Sequence, residues 1–465
     1  MAEFVPPFPP RPAKALSVLD LLRRGTSDFL GIFDQRSYEH HTMSTQILTR
    51  QLFVCNSPAS VAEAFVQKHQ NFSRKSSQLR AGLAPLVGDG LTVSDGATWD
   101  ARRPVVQTVL DKYRPRHLPA VLDAVAKLEA EWAPGAKVDM LAAMRLHSAR
   151  MLGRMLFGPA FDDATAKAVA AALVDFERHT EQGDLKQLLG VTSWIPWRRS
   201  SPLAASAAAV HAIFDRLIAS ARNQPCMAAM LAATGRLDPV AQRNELLSLF
   251  LGGHESIAAL LTWSLYLLSQ APDEEARLLR EVETLFADRA PELSDLKAMT
   301  YTRAVVSETL RLYPPVPVLV RQAEREDTIS DRKVQAGALV VVIPWLLHRH
   351  RHFWAAADTF RPSRFLPGAP RHANRDAYVP FSTGPRECPA VVLGLSEAML
   401  SLALLVQRFR FAVEPGRTVM PVCRYSILPG SDLPMIVQPR SGDRLPRSIG
   451  APPGAGSHAP PVDVS

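Results

Sequence analysis

The spacing of apolar residues predicts a chain that is mostly helical. Between residues 119 and 231, alanine and leucine recur with a period near 3.6 residues, which is typical of amphipathic and buried helices. Residues 190–202 interrupt this pattern with two tryptophans and two prolines, and they are predicted to form a loop. The segment therefore predicts several helices joined by at least one irregular connection.

The longest periodic segment predicts one long helix. Asp238 is the expected N-cap, Pro239 the first helical residue and Gln270 the last. At 1.5 Å per residue this helix would span about 48 Å. Further helices are predicted at residues 273–285, 294–312 and 391–409, and strands at 46–55 and 334–343.

Composition narrows the class of protein. The chain has 465 residues, of which 47% are hydrophobic, enough for a large core. Its net charge of +8 favours an acidic protein partner, because no nucleic-acid-binding motif accompanies the basic residues. Four widely spaced cysteines indicate neither a zinc site nor disulfides.

The sequence has no signal-peptide core, and its longest apolar run, residues 257–268, is shorter than the roughly 20 residues that span a bilayer. We expect a cytoplasmic protein without a membrane anchor.

The segment Phe-Ser-Thr-Gly-Pro-Arg-Glu-Cys-Pro-Ala, residues 381–390, carries the strongest chemical signal. It sets Cys388 at the start of the helix predicted at residues 391–409. Gly384 permits a tight turn and a close backbone approach. The N–H groups and dipole of a helix N-terminus lower the pKa of a thiol, so the arrangement predicts a thiolate that ligates a metal. A buried structural cysteine in a turn is the alternative.

This segment resembles the haem-ligand signature of the cytochrome P-450 family, F-x-x-G-x-R-x-C-x-G. The matching residues are Phe381, Gly384, Arg386 and Cys388, with Ala390 in place of the last glycine. The resemblance implies one large haem-binding domain, residues 1–440, with the family's mainly α fold and small β-sheets (α+β). It also implies haem b (iron protoporphyrin IX) as cofactor, Cys388 as axial iron ligand and Arg386 near a haem propionate. Residues 441–465 are rich in proline, glycine and serine and are predicted to be a disordered tail.

A second motif lies inside the long helix. Gly252 and Gly253 weaken a helix and favour a local kink. Glu255 and Ser256 follow and add an acid and a hydroxyl. The segment is similar to the family's oxygen-activation motif, with Ser256 in the position of threonine and His254 in a variable position. These residues would then make room for O₂ and pass protons. Helix packing through small residues is the alternative.

A buried charge network is predicted beside the cysteine segment. Glu308 and Arg311 stand three residues apart on a predicted helix, where they can form an ion pair. Their neighbours are apolar, and a buried pair needs further partners. Arg364 is the expected partner. The family's E-x-x-R and F-x-P-x-R-F motifs match these positions, which implies a structural role beneath the haem.

Other site residues follow from the resemblance. Trp99 and Arg103 stand four apart on a predicted helix and match positions that meet a haem propionate, although a surface location is the alternative. Arg321 matches another propionate-binding arginine. The resemblance also implies a substrate pocket lined by residues 83–91, residues 194–197 and the apolar side chains of Leu249, Phe250, Val316, Val318, Leu319, Ile427 and Leu428. Such a lining predicts a hydrophobic substrate.

These motifs imply a haem-thiolate monooxygenase that uses O₂ to hydroxylate a C–H bond of a hydrophobic small molecule, such as a fatty acid, terpenoid or steroid. Too little chain follows Cys388 for a fused reductase, so we expect a monomer that receives electrons from a ferredoxin or flavodoxin with an NAD(P)H-dependent reductase. The expected docking surface, or else a solvated charged face, comprises Arg102, Lys112, Arg114, Arg116, Arg349 and Arg351. A peroxide-driven peroxygenase or isomerase and a non-catalytic haem-binding sensor are the alternatives.

Overall fold

The computed structural model describes most of the chain. The described residues are 4–17, 20–21, 24, 29–47, 50–181, 201–287, 289–369, 375–423 and 426–440. Most of the loop predicted at residues 190–202, the pocket region at 194–197 and the tail at 441–465 therefore lie outside the described residues.

Helices make up the larger part of the described chain. They are α1 Pro58–Ala62, α2 Ser77–Val87, α3 Gly96–Tyr113, α4 Leu118–Glu131, α5 Met140–Phe157, α6 Asp163–Glu181, α7 Ser201–Ala221, α8 Met227–Ala233, α9 Pro239–Gln270, α10 Pro272–Phe286, α11 Thr300–Leu312, α12 Pro344–Leu347 and α13 Val391–Arg408. The helical character predicted from the 3.6-residue period is confirmed, and the predicted long helix is α9.

Short strands form small sheets beside the helices. They are β1 Thr42–Ile47, β2 Arg50–Cys55, β3 Ala136–Asp139, β4 Leu319–Gln322, β5 Asp327–Ile329, β6 Arg332–Val334, β7 Leu339–Val342, β8 Phe409–Val413, β9 Pro421–Cys423, β10 Ile427–Pro429 and β11 Pro434–Pro439. The four-stranded sheet has the order β1-β2-β7-β4, and the three-stranded sheet the order β3-β11-β8. β9 pairs with β10, and β5 with β6. In the four-stranded sheet β2 runs parallel to β7, and Phe53 is opposite Val340.

Each of two predicted strands covers parts of two shorter strands. The strand predicted at residues 46–55 covers the end of β1 and all of β2, which pair as an antiparallel hairpin. The strand predicted at residues 334–343 covers the end of β6 and all of β7. Gly337 separates these two strands, since its φ of +78° belongs to the left-handed region that a strand cannot use.

The helix predicted at residues 294–312 is also divided. A 3₁₀ turn spans Leu293–Lys297, and α11 begins only at Thr300. The carboxylate of Glu281 on α10 accepts hydrogen bonds from the N–H groups of Tyr301 and Thr302, at 2.6 and 2.8 Å. A side chain from a neighbouring helix therefore caps α11 and fixes where it starts.

α9 is the central helix of the fold. It runs for 32 residues, and the Asp238 carboxylate caps it by accepting a hydrogen bond from the Ala241 N–H at 2.8 Å. It packs against α5, α11 and α13. Trp263 stacks on Tyr313 with 3.9 Å between ring centroids, and its indole N–H donates to the Ile427 carbonyl at 2.9 Å. Most of α9 is therefore core.

Three of the described helices are long and apolar enough to cross a membrane by length and composition alone: Pro202–Ala221, α9 and α13. The apolar windows of α9 and α13 are 78% and 67% buried inside the fold, so their apolar side chains supply the core. The window in Pro202–Ala221 is 33% buried. The contiguous run at residues 257–268 is only part of α9, which is why run length alone did not predict this result.

Replacing Asp238 with alanine should lower the free energy of unfolding by about 1 kcal/mol, because the first turn of α9 loses its side-chain acceptor. Chemical denaturation followed by circular dichroism measures the change. Glu283→Ala, which removes an exposed carboxylate from α10, is the matched control and should change stability by less than about 0.5 kcal/mol. Equal losses in the two variants would contradict a capping role.

Candidate active site

The loop that carries the cysteine is a tight turn held by its own backbone. Gly384 has a φ of +72°, and a Cβ on this residue would overlap the carbonyl oxygen of Phe65. The Glu387 N–H donates to the Gly384 carbonyl at 2.9 Å, and the Cys388 N–H donates to the Phe381 carbonyl at 2.9 Å. The predicted turn and close approach at Gly384 are confirmed. They set Cys388 three residues before α13.

Cys388 is a free thiol whose pKa is raised. Burial raises the pKa, while the Ala390 N–H and the positive charge of Arg103 lower it by less. The N–H at the start of α13 therefore lowers the pKa as expected, but desolvation outweighs this donor and the Arg103 cation together. A metal ion on the sulfur would favour the thiolate. Phe381 and Ala390 are partly buried against the main core.

α3 supports the cysteine loop from one side. Arg103 Nη1 donates to the Glu387 carbonyl at 2.7 Å. The Arg386 guanidinium lies over the Trp99 ring, with 4.0 Å between its central carbon and the ring centroid. Trp99 and Arg103 therefore both meet the loop, as expected from their spacing of four residues. Both side chains are half-buried, and their contact with a haem propionate stays a prediction.

Three cationic side chains repel one another beside the loop. Arg386 donates to the Asp95 carboxylate at 3.0 Å and to the Ser94 carbonyl at 2.8 Å. Burial lowers the pKa of Arg321 to about 10, and the charge of Arg386 makes a smaller contribution in the same direction. Burial also lowers the pKa of Lys75 well below its usual value, with smaller contributions from the charges of Arg321 and Arg386. An anion placed among these groups would relieve their repulsion. Sequence reasoning missed Lys75 and Asp95, because neither belongs to a recognisable motif.

One face of α9 is open while the rest of the helix is packed. Leu249, Gly252 and Ser256 are incompletely buried and share a face through spacings of three and four residues. A Cβ on Gly252 would meet open space, whereas one on Gly253 would press on Leu152 of α5. Gly252 therefore keeps the open face clear, and Gly253 serves the helix packing that was the alternative interpretation. α9 remains α-helical through both.

Glu255 is paired with a residue of α5. Its side chain is 3% exposed and accepts two hydrogen bonds from Arg145, from Nε at 2.9 Å and from Nη2 at 2.7 Å. His254 stacks on Phe250 with 5.5 Å between ring centroids, and burial lowers its pKa to about 4. Sequence reasoning missed Arg145, because its partner lies 110 residues further along the chain.

Glu308 and Arg311 form the predicted ion pair, and both side chains are 0% exposed. Arg311 donates to the Glu308 carboxylate from Nε at 2.7 Å and from Nη2 at 2.8 Å. Arg364 Nε adds a bond to Glu308 at 3.0 Å. The other N–H groups of Arg311 donate, at 2.8, 2.6 and 3.0 Å, to the carbonyls of His348, Ala357 and Thr359. The network therefore fixes the chain that leads to the cysteine loop.

The sequence of most of the chain matches a known protein family. The model of the family described as cytochrome P-450 matches residues 7–431. The chain belongs to the cytochrome P-450 family. It is accordingly an oxidoreductase of the monooxygenase class, and the family's cofactor is haem.

Relatives of this P-450 come from plants and bacteria. It is 30% identical over 366 residues to Protein LUTEIN DEFICIENT 5, chloroplastic, of Arabidopsis thaliana, a match covering 71% of the chain and 61% of that relative. Cyclooctatin synthase of Streptomyces melanosporofaciens is 29% identical over 371 residues, covering 77% and 80%. Carotene epsilon-monooxygenase, chloroplastic, of Arabidopsis thaliana is 28% identical over 400 residues, covering 77% and 73%. The chain thus spans about three fifths of the length of Protein LUTEIN DEFICIENT 5.

The fold of the P-450 matches a solved structure. The crystal structure of the cytochrome P-450DA haem domain superposes with a TM-score of 0.77 at 22% identity, covering 94% of this chain and 98% of that one. The mainly α fold with small sheets is therefore confirmed.

The residues of the P-450 fit a haem. Cys388 offers a free thiol three residues before α13. The mutual repulsion of Arg321, Arg386 and Lys75 suits the two propionate groups that haem carries, since carboxylates would neutralise it. The donor set therefore suits both the iron and the acidic edge of the porphyrin.

The predicted pocket residues of the P-450 fall into two groups. Leu249 and Val318 are partly buried, and Val316 is 40% exposed. The others, Phe250, Leu319, Ile427 and Leu428, are buried in the core. Phe250, for example, meets Phe214 edge to face, with 5.6 Å between ring centroids. Their place in the substrate pocket stays a prediction.

Three arginines of the predicted docking surface contact other residues of the chain. Arg102 donates to the Asp89 carboxylate at 2.8 Å. Arg349 is 2% exposed, and its guanidinium lies over the Trp345 ring at 3.5 Å. Arg351 pairs with Glu39 at 2.7 Å. The exposed basic residues that remain near the end of α3 are Lys112, Arg114 and Arg116.

Gly384→Ala should destabilise the P-450 by about 2 kcal/mol or more and lower its haem content. The left-handed φ costs a non-glycine residue about 1–2 kcal/mol, and the added methyl overlaps the Phe65 carbonyl. Thermal unfolding and haem per chain are the measurements. Gly394→Ala is the matched control, since a Cβ there meets open space on α13 and should be neutral or stabilising. Full haem content and unchanged stability in Gly384→Ala would contradict the close approach.

Proposed function

We propose that this P-450 is a haem-thiolate monooxygenase that hydroxylates a hydrophobic small molecule with O₂ and electrons from a separate donor. The observation that carries the proposal is the free thiol of Cys388, held by the turn at Gly384 just before α13. Arg103 of α3 donates to the Glu387 carbonyl of this loop, and Arg386 within the loop pairs with Asp95. A sulfur ligand on a loop held in this way suits a haem-thiolate centre.

The proposed cofactor is haem b, which supplies the O₂-activating chemistry when bound. Cys388 is the proposed axial ligand. Arg103, Arg321 and Arg386 are proposed to hold the propionates, with Lys75 adding positive charge and Trp99 supporting Arg386 through its ring. The turn residues Phe381, Gly384 and Ala390 are proposed to shape the cradle. Glu308, Arg311 and Arg364 would position this loop without touching the reacting atoms.

Ser256 is the proposed proton carrier. Its position on the open face of α9, beside Gly252, would leave its hydroxyl free to hold and pass a proton through water. Glu255 is committed to Arg145, so its carboxylate would reach Ser256 only if that ion pair opened. We propose that the ion pair with Arg145 keeps the Glu255 carboxylate away from Ser256 until water or substrate rearranges the site.

The proposed substrate is an apolar isoprenoid. Leu249 and Val318 are the partly buried apolar residues that support an apolar pocket. The name of one relative, carotene epsilon-monooxygenase, includes an isoprenoid hydrocarbon. A terpenoid is thus favoured over a fatty acid or a steroid.

The proposed electron donor is a ferredoxin or flavodoxin. Lys112, Arg114 and Arg116 form an exposed basic group at the end of α3, the helix that also bears Arg103. Such a group would attract an acidic donor towards the cysteine side of the protein. The protein would then act in the cytoplasm as a monomer.

Cys388→Ala should abolish the thiolate-type spectrum of the reduced carbon monoxide complex and all hydroxylation. Cys423→Ala, a second incompletely buried cysteine, is the matched control and should keep both. A wild-type protein that turns over terpenoids with ferredoxin, reductase and NADPH would meet the proposal. Turnover with peroxide alone would favour a peroxygenase, and a thiolate spectrum in Cys388→Ala would exclude this cysteine as ligand.

Ser256→Ala should lower product formation by about tenfold or more and raise hydrogen peroxide release, because a positioned proton donor is lost. The measurement is the fraction of NADPH electrons recovered as hydroxylated product. Ser269→Ala is the control on the same helix, since its hydroxyl is already bonded to the Tyr266 carbonyl at 2.7 Å. Unaltered coupling in Ser256→Ala would remove this residue from the proton path.

A further inference from the structure

A cluster of three histidines joins two distant segments of the chain. His41 at the edge of β1 meets His350 and His352, which follow α12. One ring nitrogen of each lies within 4.8 Å of the other two, and His41 Nε2 is 3.3 Å from His352 Nδ1. We call this group the three-histidine cluster. It contains no residue of the candidate active site.

The backbone around the cluster is already fixed. The Arg351 N–H donates to the Tyr38 carbonyl at 2.9 Å, and the Asn56 N–H donates to the His41 carbonyl at 2.9 Å. The ring of Phe353 stacks on His350 with 4.4 Å between ring centroids. The three imidazoles are therefore held near one another by the fold and not only by their own contacts.

His350 is the residue that points to a ligand. It is 0% exposed, and no group in the described residues has hydrogen-bond geometry to its Nε2. A buried ring nitrogen without such a partner is available to a metal ion, and imidazole is the commonest metal ligand among side chains.

The geometry suits a tetrahedral ion with nitrogen ligands. Zn²⁺ binds histidine nitrogen at about 2.0–2.1 Å, which puts two ligands of a tetrahedron roughly 3.3–3.4 Å apart. The distance between His41 Nε2 and His352 Nδ1 is 3.3 Å. The His350 nitrogen lies within 4.8 Å of the other two, so each of these distances must shorten by at most about 1.5 Å to complete the set. The two other rings are exposed and can adjust. Three imidazoles without a carboxylate favour zinc and other late first-row ions over magnesium or calcium.

We propose that the three-histidine cluster binds one Zn²⁺, with water in the fourth position, and that the ion fastens the start of β1 to the turn after α12. His350 lies two residues from His348, whose carbonyl accepts a hydrogen bond from Arg311. A metal at the cluster thus ties the N-terminal hairpin to the segment held by the buried charge network. The site is structural and does not depend on the oxygenase reaction.

The test uses the full-length, haem-loaded protein without a histidine tag, treated with a chelator and titrated calorimetrically with ZnCl₂. One Zn²⁺ should bind per chain, with a dissociation constant of about 10 µM or below. His41→Gln and His352→Gln should each weaken binding by at least about tenfold, because the loss of even an outer partner of a metal site costs about 10- to 100-fold. Zn²⁺ should raise the unfolding temperature of the wild type but not of the double variant that carries both His41→Gln and His352→Gln. Both residues are exposed, so an unchanged haem spectrum shows that the variants are folded.

His69→Gln is the control, because this histidine lies outside the cluster and is bonded to the Val66 carbonyl at 2.8 Å. It should leave zinc affinity unchanged. If the double variant binds Zn²⁺ as tightly as the wild type, the ions bind adventitiously at others of the 13 histidines and the proposal is overturned. A wild type without a saturable site also overturns it.

Discussion

The buried ion pair between Glu308 and Arg311 is the interaction on which the candidate site depends. Removing two charges from water costs several kcal/mol for each ion, so such a pair is stable only when its hydrogen bonds are completed. Here all five N–H groups of Arg311 donate, two to Glu308 and three to carbonyls of the segment between α12 and the cysteine loop. Glu308 also accepts from Arg364 and from the Arg361 backbone. The cost of burying the pair is thus offset only when this irregular segment is in place.

At the cysteine loop and the cations beside it, the stability of the folded state is linked to binding of the cofactor. Burial and Arg386 lower the pKa of Arg321, burial and both arginines lower that of Lys75, and burial raises that of Cys388. The polypeptide alone therefore carries unfavourable electrostatics at this site. A ligand that supplies a metal for the sulfur and carboxylates for the cations stabilises the folded state through mass action. The same residues that would bind the haem would make the haem-free protein less stable.

Local patterns predicted the helices and the contacts between residues close in sequence. The N-cap at Asp238, the turn at Gly384 and the pairing of Glu308 with Arg311 each depend on a few neighbouring positions, and each is present. Contacts set by tertiary packing were not predictable in this way. The start of α11 is fixed by Glu281 on another helix, and Glu255 finds Arg145 on α5.

For the same reason, the sequence does not tell which apolar residues of α9 face the core. Phe250 differs from Leu249 only in the side of α9 that it occupies, and which side faces the core follows from the whole packing. The raised pKa of Cys388 also depends on how deeply the loop is buried, and local spacing does not report that depth.

The parallel pairing of β2 with β7 has a consequence for biosynthesis. Leu52 lies opposite Leu339, so β2 meets its partner about 290 residues after it has been made. At translation rates of roughly 5–20 residues per second, the hairpin of β1 and β2 waits about 15 to 60 s with one edge unpaired. An unpaired edge can join another chain, so nascent copies on neighbouring ribosomes are at risk of aggregation until β7 emerges. Slow synthesis would lengthen this interval, and a chaperone that covers the hairpin would protect the chain during it.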